Sequence, residues 1–113
     1  MPDIWAVELE QEVEDWYLAL PDRDRGRVDR RVDRLALMGN QLRMPLSRSL
    51  GEGLFELRFH LRDEARRIPY WFASDRRIIL LTTFHKQRDN EAGEVARARE
   101  AKRRCEAEKH TAE

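Results

Sequence analysis

The chain has 113 residues, enough for one modest hydrophobic core and, by length alone, for one domain. Its 22 Lys and Arg balance 22 Asp and Glu, so no overall positive charge draws it to nucleic acid and any anion binding must be local. A single cysteine, Cys105, excludes an internal disulfide, and no apolar run approaches the roughly 20 residues of a membrane span.

The charge is unevenly placed: residues 1–22 hold seven acids and no Lys or Arg, whereas residues 54–104 hold thirteen Lys and Arg against eight acids. The start, "MPDIWAVELE", is acidic and lacks the basic and apolar segments of a secretory signal, so the expectation is a soluble protein of the reducing cytoplasm with no membrane contact. "IWAVELE" alternates and carries β-formers, which predicts a first strand over residues 4–10. Val13, Trp16, Tyr17 and Leu20 then fall on one helical face, predicting a helix over about 11–20 that Pro21 stops. Val28, Val32, Leu35 and Ala36 repeat that face over 22–38, and Gly39 supplies the C-terminal stop. The stretch "GNQLRMPLSRSLGEG" has the Gly, Asn, Pro and Ser of a loop.

Alternation returns in "LFELRFHL", where Phe55, Leu57, Phe59 and Leu61 alternate with Glu56, Arg58 and His60, predicting a half-buried strand over about 54–61. "RIPYWFA" and "RIILLTTF" predict strands over about 66–73 and 77–84, central in the sheet because both faces are apolar. Pro69 cannot donate to a ladder, so its strand is either unpaired there or bulged. From Asn90 onward a helix over about 91–109 opens with acids and crowds Lys and Arg into its later turns. Its apolar stripe is mostly Ala with Val95 and Cys105. It reads either as a solvated helix resting lightly on the sheet or as a surface on which Arg97, Arg99, Arg103 and Arg104 meet RNA. The order β-α-α-β-β-β-α describes an α+β domain, a helical hairpin on a small, mainly antiparallel four-stranded sheet with a C-terminal helix.

Three stretches in order, "SLGEGLFELRF", "RRIPYWF" and "IILLTTFHKQR", followed by a charged helix, resemble the phage-derived, HigB-like branch of the RelE/ParE toxin superfamily over residues 28–104. Pro69 and Gln87 depart from that pattern, which more often has an apolar residue and a lysine there. The resemblance implies a RelE-like fold and the toxin of a type II toxin–antitoxin pair. Such a toxin cuts mRNA on the ribosome without a metal and is held in check by a cognate antitoxin, commonly a helix-turn-helix protein. No cofactor is expected, and no His, Cys and carboxylate cluster has metal-ligand spacing.

Cleaving RNA through its own 2′-hydroxyl needs a base, an acid, and cations aimed at the phosphoryl oxygens. By resemblance, Arg58, Arg67 and Lys86 would clamp the phosphate, and His85 would move the proton, since an imidazole exchanges protons near neutral pH. Tyr70, Arg88 and His60 would support RNA binding. Strand arginines are also common as solvated partners of acids, His85 can cap the edge of a core face, and Tyr70 can be core. The alternative reading is a protein of the same fold that binds without cutting, such as a ParE-like gyrase inhibitor or a ribosome- or nucleic-acid-binding module.

Overall fold

The structure, a computed structural model, describes residues 4–111. In chain order it runs β1 (Ala6–Leu9), α1 (Gln11–Leu18), α2 (Asp22–Met38), a 3-10 turn (Gly39–Gln41), β2 (Ser47–Gly51), β3 (Leu54–Leu61), β4 (Glu64–Ala73), β5 (Arg77–Leu80), β6 (Phe84–His85) and α3 (Glu91–Thr111). The strands form one sheet ordered β1-β5-β4-β3-β2, with β6 also on β4. β1 lies parallel to β5 and the other pairs are antiparallel.

Alternation along β3 and β4 sorts the side chains onto two faces. Leu57, Phe59 and Leu61 with Ile68 and Tyr70 face the helical hairpin and meet Val13, Val28 and Leu35. Leu54, Ile79 and Leu81 face the other way and are covered by Ala98, Ala101 and Cys105 of α3. The small side chains of α3 therefore do more than rest lightly on the sheet, since they let the helix backbone close over it. Arg97 pairs with Glu12, Arg99 with the carbonyls of Leu50 and Gly51, and Arg103 with Glu100, so these α3 arginines are engaged within the protein.

The four-stranded expectation is corrected to six strands among the described residues. The sequence pattern predicts loop for β2, because Ser47–Gly51 carries one large apolar residue, Leu50, and no alternation. Its strand conformation comes from pairing with β3 rather than from its own pattern. The strand expected over 77–84 is divided. Ile79 pairs with Trp71 and Tyr70 with Leu80, and Leu81 N–H still reaches the Pro69 carbonyl at 2.9 Å. Beyond that point Phe84 pairs with Arg67 and His85 with Arg66, one residue out of the earlier register. That is a bulge opposite Pro69, whose ring nitrogen faces the same neighbour as its carbonyl and has no hydrogen to offer. α1 also stops at Leu18, short of the expected residue 20, before Pro21.

Candidate nucleic-acid interface

Arg58 and Arg67 are direct cross-strand partners. Two like charges opposite one another are ordinarily unfavourable. One carboxylate stands between them: Glu56 Oε2 lies 3.9 Å from Arg58 Nε and 3.7 Å from Arg67 Nε. Glu56 is completely buried and both its oxygens lack a hydrogen-bond partner. Burial pushes its carboxyl above the usual range, against the pull of Arg67 and, more weakly, Arg58 and Arg48, while Glu91 adds to the rise. Burial and then the Arg58 charge press Arg67 in the opposite direction, below the ordinary guanidinium range, with Glu56 opposing. One carboxylate does not neutralise this pair, and the surplus is positive.

The surplus faces a groove of about 410 Å³ lined by Arg27, Arg31, Met44, Arg58, His60 and Arg67. β2 pairs with β3 only as far as Leu57, so the edge of β3 beyond it is open and the groove wraps around it toward α2. Arg58 is tethered at that edge, with its N–H on the Leu46 carbonyl at 2.8 Å and Nη1 3.1 Å from Met44 Sδ. Arg67 forms the floor, its side chain only 9% exposed, and His60 is the exposed imidazole of the site.

The structure separates the other expected residues. His85 pairs with Arg66, not Arg67, and so leaves the sheet on the helical-hairpin side, where Arg66 lies 4.9 Å from the Trp16 ring. The bulge opposite Pro69 causes this, since a one-residue slip exchanges the faces. The expectation that His85 joins Arg58 and Arg67 is therefore corrected. Tyr70 is corrected too: it is 1% exposed, shares a 2.5 Å hydrogen bond with Ser47 Oγ and stacks on Phe55. Burial raises its phenol further from ionisation, so it is a core residue with no face for a base. Lys86 N–H bonds the Ala65 carbonyl at 2.7 Å, and the continued register returns the residue to the face of Arg67 and His60. Arg88 is exposed in the loop before α3, which Asn90 closes by accepting Gln87 N–H and donating to the His85 carbonyl, each at 3.0 Å.

Arg27 and Arg31 were not among the expected site residues. Their spacing carried the signal: Arg27, Arg30, Arg31 and Arg34 fall on one face of α2, beside the apolar stripe that marked the helix.

Comparison with known proteins follows the fold. A family model described as phage-derived protein, Gp49-like, matches residues 15–106. No curated protein matches the chain. A mutant of E. coli toxin RelE in the free state superposes with a TM-score of 0.59 at 11% identity, over 84% of this chain and 93% of that one. A chain of the toxin–antitoxin complex RelBE2 from Mycobacterium tuberculosis superposes with a TM-score of 0.54 at 16% identity, over 74% of this chain and 99% of that one. At such identities the likeness is one of fold, and it is the fold that the motifs implied.

Proposed function

The chain belongs to the family of phage-derived Gp49-like proteins, and from that membership and its RelE fold we propose that it is the toxin of a toxin–antitoxin pair that cuts messenger RNA on the ribosome. The observation that carries this reading is the opposed pair Arg58 and Arg67 at the floor of an open cationic groove, incompletely balanced by the one buried carboxylate, Glu56. A phosphate completes that balance. Its two free oxygens offer acceptors to the guanidinium groups, and the charge that grows on them during attack is held more tightly than the charge of the bound substrate.

In the reaction the 2′-hydroxyl oxygen bonds to the adjacent phosphorus as the bond to the 5′-oxygen breaks. The products are a 2′,3′-cyclic phosphate and a 5′-hydroxyl. His60, on the same sheet face as Arg58, is the imidazole of the groove and takes the proton-transfer role in this reading. Lys86 lies on that face in the row of His60 and Ala65 and is a further cation for the phosphate in this reading. The RelE2 relative is seen in a toxin–antitoxin complex, and an antitoxin is proposed for this chain by the same kinship.

One observation favours a second reading, binding without cleavage. With His85 and Tyr70 turned to the other face, the groove keeps its cations but has a single imidazole among its lining residues. Inducible expression with mapping of mRNA 5′-ends separates the two. New ends inside translated frames, absent with Arg58→Ala, support the nuclease; arrest of growth without new ends supports the binder; and neither effect rejects both.

A further inference from the structure

We propose that α2 carries a track for the backbone of single-stranded RNA, continuing from the Arg58–Arg67 groove over the edge of β3 through Arg27, Arg31, Arg30 and Arg34. This rests on the nuclease reading for the place where the strand is cut, but on separate residues for how it is held.

A second groove, of about 270 Å³, adjoins the first and is lined by Arg27, Arg30, Arg31, Arg34 and His60. Three residues, Arg27, Arg31 and His60, line both, so the two are one continuous surface. At 3.6 residues per turn the four arginines fall within an arc of roughly 100° on α2. Val28, Val32 and Leu35 flank that arc on the core side, and Asp29 and Asp33 lie beyond it on the far side. Asp29 is occupied by the Tyr17 hydroxyl at 2.6 Å.

What distinguishes this stripe is four neighbouring arginines without partners on one helix face. Many other arginines of the chain are spent on acids: Arg25 on Asp22, Arg62 on the buried Asp24, Arg66 on Glu64, Arg97 on Glu12. Among the described residues none of the four α2 arginines has an ion-pair or hydrogen-bond partner. In a chain whose acids equal its bases, a row of unmatched guanidinium groups lining a groove is a local polyanion site. One helical turn rises about 5.4 Å, close to the step between successive phosphates of an extended strand, so residues three and four apart can each take one phosphate. The second groove has no Trp, Tyr or Phe among its lining residues, so the hold on the strand is mainly electrostatic and indifferent to sequence.

The test is binding of a fluorescein-labelled short oligouridine to the full chain across a salt series, comparing the native protein, Arg30→Ala/Arg34→Ala, and Arg103→Ala/Arg104→Ala. The last pair removes the same charge from α3, where both arginines lie beside Glu100. Each phosphate contact on a single strand contributes about 0.7 to the slope of log affinity against log salt, so the α2 variant should lose about 1.4 of slope and the α3 variant little. No binding by the native chain, an unchanged slope in the α2 variant, or an equal loss in both variants overturns the proposal. A loss seen only with polyglutamate in place of RNA overturns it in favour of an acidic protein partner. Loss of slope by the α2 variant in a chain that makes no cuts on ribosomes would leave the track standing and sink the nuclease; cuts with an unchanged slope would do the reverse.

Discussion

Glu56 Oε2 lies 3.7 Å from Arg67 Nε, and both atoms are buried. A carboxylate this deep with no hydrogen bond is costly, and an arginine beside it lowers the cost without removing it. The pair makes sense as a floor: the carboxylate addresses the Nε edges of Arg58 and Arg67 at 3.9 and 3.7 Å.

That burial has a pH signature. Burial raises the Glu56 carboxyl above its ordinary value, the nearby arginines only partly opposing it. The folded state then takes up a proton more readily than the unfolded chain. The contribution of Glu56 to stability is greatest below the unfolded pKa and declines as pH rises through the folded one. Glutamine does not titrate. Urea unfolding of Glu56→Gln against the native protein should show the difference moving in favour of glutamine from about pH 4 to neutrality. A difference that stays flat, or moves the other way, contradicts the burial argument.

Glu12 gives the opposite sign. Burial pushes its carboxyl up, but Arg97 and the Thr83 N–H, which donates to Oε2 at 3.0 Å, together hold it below its usual value. This stabilisation is present above the unfolded pKa and is lost as pH falls through the folded one. The side chains are about two-fifths exposed, so solvent weakens the pair. Glu12→Gln should cost about 1 kcal/mol at neutral pH and less as the solution is acidified.

Gly39 ends α2 with φ +54°, and a Cβ there would collide with the indole of Trp5. Gly39→Ala should destabilise by about 3 kcal/mol, the sum of a left-handed alanine and an overpacked contact. Thermal unfolding checks it.

Much of this fold is written in local pattern. Val28, Val32 and Leu35 repeat at helical spacing and mark α2, while Leu57, Phe59 and Leu61 alternate and mark β3. The half-buried Arg58 and exposed His60 follow from the same alternation. What pattern does not carry is register. Unbroken alternation from Ile79 and Leu81 carries Thr83 and His85 onto the face of Arg67, and the extra residue opposite Pro69 reverses them. Tyr70 illustrates a second limit, since alternation gives two faces without saying which one the hairpin covers. β2 is the third, being a strand because β3 needs a partner.

The two histidines therefore part company in function. His60→Ala should slow RNA cleavage on the order of 100-fold, the usual scale of a lost proton-transfer group, whereas His85→Ala and Tyr70→Phe should leave its rate within about twofold. Single-turnover cleavage rates of the three variants, with circular dichroism to verify folding, decide it. A large loss in His85→Ala alone would return proton transfer to that residue.

The central claim is that Arg58 and Arg67 hold a scissile phosphate presented by the ribosome. Its most direct test is a purified reaction: programmed ribosomes carrying a defined mRNA, native protein or Arg58→Ala, and mapping of the products by primer extension. Arg58 is the variant of choice because its side chain is 23% exposed and Arg67 stays to balance Glu56. Cuts within the ribosome-bound codon, ending in a 2′,3′-cyclic phosphate and reduced at least 100-fold in Arg58→Ala, are the expected result. No cuts by the native protein, or cuts undiminished in the variant, would contradict it.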